Sequence, residues 1–168
     1  MGRRDLLLGL VVLAAIATGV YLTRGPGPQA PSGSAADHAD LPDLSLADAR
    51  LEVGDVAVQV EVPARPIVAF EPNLLLFHFV EAGAPDGDVV AVEEPAVSFT
   101  MKMDMGKNRY ALVPAARPGW LQAEFVLPAC PSGGRRWYGI LTFRAGGRER
   151  EARFQFGLVP GDGGQGQS

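Results

Sequence analysis

The sequence predicts an all-β domain, an antiparallel β-sandwich. Three observations lead there: several short runs alternate apolar and polar residues with period two, breaker clusters recur every 8–12 residues, and no amphipathic helical period appears. Composition agrees. The 168 residues include 21 glycines and 14 prolines, which favour short strands joined by tight turns.

Taken in order, Leu6 to Leu22 is an uncharged run of seventeen residues, just long enough to cross a bilayer core, which needs about 20 apolar residues. Arg3 and Arg4 precede it and acidic sequence succeeds it, so the positive-inside rule leaves the N-terminus cytoplasmic. Ala15-Ile16-Ala17 has the form of a signal-peptidase site, but Val20-Tyr21-Leu22 carries the apolar run beyond it. Residues 1–24 are therefore expected to be a retained transmembrane helix, and either reading exports the chain beyond residue 24. Residues 25–47, rich in Pro, Gly, Ala and Ser, read as a linker. Asp37-His38-Ala39-Asp40 within it lacks the fixed geometry a metal needs.

The folded domain is expected over 48–160. Val56, Val58, Val60 and Val62 alternate with Ala57, Gln59 and Glu61; Asn73–Val80 is apolar on both faces; Val89–Val92 is short; and Ala96–Met103 runs into a methionine cluster. Asn108–Val113 comes next. Trp120–Leu127 turns Leu121, Ala123, Phe125 and Leu127 one way and Gln122 and Glu124 the other. Arg136–Arg144 and Glu149–Leu158 flank Ala145-Gly146-Gly147, a hairpin turn. Trp120, Trp137 and Tyr138 read as core and edge aromatics. Residues 161–168 form a Gly/Gln-rich tail expected to be disordered. Seven or so such strands suggest an immunoglobulin-like sandwich, with a small barrel as the alternative.

Charge narrows the partners. Up to Arg24 there are three arginines against one aspartate; the remainder carries 12 basic and 18 acidic residues. An acidic domain is a poor match for a phosphate backbone, so nucleic-acid binding is not expected. Enzymatic signatures are also missing: there is no Gly-rich phosphate loop, no Gly-x-Ser-x-Gly and no His-Glu-x-x-His. Cys130 with His78 is the one conceivable nucleophile pair, and no third group specifically orients it. A non-enzymatic role is expected.

The chemistry that remains is soft. Three of the four methionines fall in Met101-Lys-Met-Asp-Met-Gly, so Met101, Met103 and Met105 share one strand face. Cu(I) favours thioether, thiolate and imidazole donors, and the folded domain offers only these three methionines, Cys130 and His78. The competing reading is a core stripe, since Phe99 has the same parity and methionine fills core gaps. Met103 and Met105, beside an expected strand end, are better placed as ligands than Met101. His78 lies between Phe77 and Phe79 and faces with Leu74 and Leu76, where a hydrogen-bonded structural histidine is expected. Cys130, the lone cysteine of a chain read as exported, sits on a breaker-dense loop as an inert thiol, a metal ligand or an intermolecular disulfide partner.

Met103-Asp-Met-Gly-Lys-Asn-Arg-Tyr-Ala-Leu-Val-Pro, then Gly119-Trp, Leu127-Pro-Ala-Cys-Pro-Ser-Gly, Trp137 and Phe154-Gln-Phe, resemble in order the YtkA-like/FixH-like group of membrane-anchored, exported immunoglobulin-like domains of bacteria. The resemblance spans roughly residues 50–158. It implies an accessory role near copper handling or cytochrome oxidase assembly at the periplasmic face of the inner membrane, with an oxidase subunit or another copper-handling protein as partner. Met103, Met105 and Cys130 match the motif. Met101 and His78 are added on ligand chemistry alone. The alternative function is a metal-free adaptor docking on a membrane complex.

Overall fold

The computed structural model describes residues 40–83, 87–101, 108–130 and 133–161, and the predicted anchor, most of the linker, Met103, Met105 and the tail beyond residue 161 lie outside them. Ten strands form: β1 (Ala49–Val53), β2 (Val56–Glu61), β3 (Ile67–Val68), β4 (Asn73–Glu81), β5 (Glu93–Thr100), β6 (Asn108–Ala111), β7 (Val113–Pro114), β8 (Trp120–Phe125), β9 (Arg136–Ala145) and β10 (Arg148–Val159). They make two five-stranded sheets, ordered β1-β2-β4-β8-β7 and β3-β10-β9-β5-β6, and no helix occurs among the described residues. The arrangement is that of a β-sandwich.

The period-two pattern puts one face of each strand inward. Leu75, Phe77 and Phe79 of β4 and Ala123 and Phe125 of β8 are buried from the first sheet; Val97, Phe99, Trp137, Leu141, Phe143, Phe154, Phe156 and Leu158 are buried from the second. Aromatic pairs join the layers: Phe99 meets Phe125 at 4.4 Å between ring centroids, and Phe79 meets Phe143 edge-on at 4.9 Å. Each such side chain contributes about 1.5–3 kcal/mol through burial. Two tight turns set the register. β1 and β2 join through Gly54-Asp55, with Gly54 at φ 67°. β9 and β10 join through Gly146-Gly147, both left-handed, so the predicted hairpin is present.

Several expectations are revised. The second sheet is mixed, because β3 runs parallel to β10 with Ile67 beside Leu158. Val89–Val92 makes only a bridge to Val80, and β5 starts earlier, at Glu93, and ends at Thr100, short of Met103. The strand expected over Asn108–Val113 divides at buried Leu112: Ala111 pairs with Ala96 in the second sheet and Val113 with Gln122 in the first. The chain thus changes sheets within two residues and closes one side of the sandwich.

The domain also begins before residue 48. Asp43 bridges to Gln155 on β10, Leu44 N–H donates to the Gln155 carbonyl at 2.8 Å, and Leu44 is fully buried. Gln155 Nε2 donates in turn to the Leu41 carbonyl at 2.8 Å, and Arg65 Nε donates to the Leu44 carbonyl at 3.0 Å. The cause is an accounting one. Beside Gln155, β10 would otherwise present unpaired backbone groups, and residues 41–45 satisfy them.

Candidate metal centre

Met101 directly follows β5. It has the parity of buried Val97 and Phe99 and packs, half-buried, against the edge of the core. Its inward side is the one the alternation predicts. Cys130 lies on the connection from β8 to β9, which is fastened along its length. Phe70 N–H donates to the Leu127 carbonyl at 2.9 Å, the Tyr110 hydroxyl donates to the Val126 carbonyl at 3.1 Å, and Leu158 N–H donates to the Arg135 carbonyl at 2.7 Å. Gly133 N–H donates to the Cys130 carbonyl at 3.0 Å, and Gly134 lies beside the side chains of both Met101 and Cys130. A Cβ at Gly134 would stand 3.3 Å from Met101 Cε and 3.6 Å from Cys130 Sγ. The Met101 methyl and the Cys130 thiol, from the end of β5 and from the β8–β9 connection, converge on one glycine.

Cys130 is half-buried and borders a cavity of about 130 Å³ shared with Ala69, Gly133, Gly134, Arg135 and Pro160. Neutral thioether sulfur and a thiol that ionises on coordination form a donor set suited to Cu(I) and ill-suited to Mg²⁺ or Ca²⁺, which take oxygen ligands. Binding would release the thiol proton, so affinity would rise with pH. Among the described residues, no three His, Cys, Asp or Glu side chains gather to hold a metal, here or elsewhere.

His78 does not join these sulfurs. It projects from β4 on the face opposite Phe77 and Phe79, across from Trp120 at the start of β8, whereas Cys130 follows the far end of that strand. At about 3.3 Å per residue, β8 alone separates them by about 17 Å. His78 and the sulfur pair therefore cannot share a ligand sphere. The His78 ring stacks on Trp120 with centroids 4.9 Å apart and planes 15° apart. The Arg117 guanidinium lies 3.9 Å from the Trp120 ring centroid and pairs with Glu61 at 2.9 Å. Burial, and then the Arg117 charge, hold the His78 pKa below the usual histidine range, against the opposing effect of Glu61.

Trp137 and Gly134 were not singled out as site residues by sequence reasoning. Trp137 is fully buried as expected, next to the Tyr138 that pairs with Thr100, but its Nε1–H finds no acceptor among the described residues. Gly134 was legible only as half of a Gly-Gly breaker; its close approach to the Met101 methyl and the Cys130 sulfur depends on the loop's tertiary fastening. Compared with protein-family models, with curated proteins and with solved structures, the chain matches none.

Proposed function

We propose that this chain is a membrane-tethered, exported accessory protein whose immunoglobulin-like sandwich holds Cu(I), serving copper handling or cytochrome oxidase assembly without catalysing a reaction. The observation that carries this is the convergence of Met101 and Cys130 over Gly134. Met103 and Met105 continue the alternation in sequence and supply further thioethers. The uncharged run Leu6–Leu22 supports the tether. The ordered motif shared with the YtkA-like/FixH-like group supports the copper context. His78 is left out of the ligand set.

The test is a competition titration of the purified full-length protein with Cu(I) against a chromogenic chelator. Wild type should retain one Cu(I), and Met101→Leu/Cys130→Ser should lose it. Met103→Leu/Met105→Leu should weaken it. Equal retention by wild type and the Met101→Leu/Cys130→Ser variant, or no retention by either, would overturn the reading.

A second reading, the metal-free adaptor, is favoured by one feature. The segment Val89–Val92 and Gly119–Leu121 flank an apolar groove of about 300 Å³, and Val89 is 60% exposed. Exposed apolar surface of this kind suits docking. Co-purification of an inner-membrane complex that is lost on Val89→Glu, but not on Cys130→Ser, would select that reading over the first.

A further inference from the structure

β10 is clasped along only part of its outer edge. Its backbone groups alternate between β9 and the opposite side, and the bonds made from Gln155 onward fix which residues face out. Gln155 N–H donates to the Pro42 carbonyl, and the Gln155 carbonyl accepts from Leu44 N–H. Gly157 N–H donates to Ser45 Oγ, and the Val159 carbonyl accepts from Ala69 N–H. Leu158 N–H points the other way, to the Arg135 carbonyl ahead of β9. Odd-numbered residues therefore present N–H and C=O to the outer edge. By the same alternation Glu149, Glu151 and Arg153 do so too, and both β3 and residues 41–45 stop short of them. Among the described residues no strand pairs with β10 there. An edge left open in this way is a template for another chain.

We propose that this edge pairs with the same edge of a second copy of the chain, antiparallel, about a two-fold axis at Glu151. Charge and register select that arrangement. Outward residues must oppose each other, so Glu151 meets Glu151 of the second copy, and Glu149 meets Arg153. Moving the axis to Arg150 would set Glu149 against Glu151, two like charges. Moving it to Ala152 would run the second copy into residues 42–44, which already occupy the edge at Gln155. With the axis at Glu151, opposite charges meet at both ends of the seam. Each central Glu151 lies 2.6 Å from Nε of its own Arg153, which offsets the like charge across the axis. Glu149 and Glu151 are exposed and Arg153 is half-buried, so all three can meet a neighbour. The second sheet then runs unbroken through two molecules. A seam one strand wide buries less than the roughly 1,600 Å² of a standard stable complex, so the dimer is weak and forms as concentration rises.

The experiment uses the full-length protein in two arms. In the first, a Cys130→Ser background removes the one native thiol, and single cysteines are placed along the edge. Directly opposed, hydrogen-bonded residues have Cα atoms about 5.5 Å apart, within disulfide reach. Mild oxidation should cross-link Glu151→Cys to itself. Glu149→Cys and Arg153→Cys should each stay monomeric alone and cross-link when mixed. In the second arm, sedimentation follows association without any cross-link. Wild type should dimerise as concentration rises. Glu149→Arg should weaken the dimer, and Glu149→Arg/Arg153→Glu should restore it. Glu151→Pro should abolish it and still fold, because the N–H it removes faces away from β9. Ala152→Pro, which removes an N–H facing Leu141 of β9, should melt far lower. The cysteine register carries the test should Glu151→Pro fail to fold. Cross-linking of all three positions alike, or of none, would overturn the second copy as occupant and leave the edge to a strand from a different protein.

Discussion

The Phe154 ring occupies the space that a side chain on Gly139 would need. The two residues are directly paired between β10 and β9, and a Cβ built on Gly139 would fall under 3.0 Å from three carbons of the ring. Phe154 is fully buried and cannot swing into solvent. Gly139→Ala should therefore cost about 1–3 kcal/mol, the usual penalty for overpacking a tight core. Chemical denaturation checks it. A neutral Gly139→Ala would mean that the β9–β10 register differs from the one described.

Arg150 reaches from β10 in the second sheet to the β1–β2 turn in the first. Its Nη1 donates to the Val53 carbonyl at 3.0 Å, its Nη2 pairs with Asp55, and its buried Nε has no partner among the described residues. Asp55 is largely exposed, so the ion pair itself is worth little. Loss of the Val53 bond is offset by removal of the unpaired Nε–H. Arg150→Met should therefore change stability by no more than about 1 kcal/mol. Gly54→Ala should cost more, about 1–2 kcal/mol, because Gly54 is left-handed at φ 67° and its missing Cβ faces Arg150 Nη1. Urea midpoints should rank the two variants in that order.

Two groups give stability a pH dependence in separate windows. Burial and Arg117 lower the His78 pKa in the folded state, so the unfolded chain binds that proton more readily. The stability tied to neutral His78 is complete above its ordinary pKa of about 6.5 and declines as pH falls below it. His78→Phe, which keeps a ring against Trp120, should flatten the loss of melting temperature between about pH 7 and about pH 5. Asp48 acts lower. Burial alone would raise its pKa, but the Arg65 hydrogen bond, the Val62 N–H and the Arg65 charge together hold it below the ordinary carboxylate value. That contribution is present above about pH 4 and is lost as pH falls through the folded value. Asp48→Asn should remove the acid part of the decline and leave the His78 window unchanged.

Leu44 tests where the domain begins. Fully buried and hydrogen-bonded to β10 through its own N–H, it should behave as a core residue. Leu44→Ala should cost about 2–5 kcal/mol. A linker residue would show nothing. Leu46, two positions on and 82% exposed, serves as the control, and Leu46→Ala should be silent in the same thermal melt.

How much can be read from residues alone depends on range. The alternation of Val56–Val62, Trp120–Leu127 and Glu149–Leu158 is a local signal, and β2, β8 and β10 appear within a few residues of where it places them. Leu44 carries no such signal, because one leucine in an Ala- and Asp-rich stretch has no period. Its role is set by the unpaired flank of β10, more than 100 residues away. The sheet change at Leu112 and the parallel placement of Ile67–Val68 are likewise decisions about which edges remain open. The candidate centre divides in the same way. The inward side of Met101 follows from its parity with Phe99, and the outward side of His78 from its flanking phenylalanines. That Cys130 meets Met101, while His78 meets Trp120, depends on strand register and on a loop fastened at Leu127 and Arg135.

The attachment of residues 41–45 to β10 has a mechanical meaning. The segment runs parallel to β10, held by Leu44 N–H and Gln155 N–H, by Gln155 Nε2 and by Gly157 N–H donating to Ser45 Oγ at 2.5 Å. A pull on the chain before Leu41, opposed by the end of β10, loads these bonds together along the strand direction and does not unzip them one at a time. Shear of several bonds at once is the strong mode of a β-ladder. The first thing to yield under tension would be this clasp and the buried Leu44 beneath it, so a pull ahead of Leu41 is carried straight into the core.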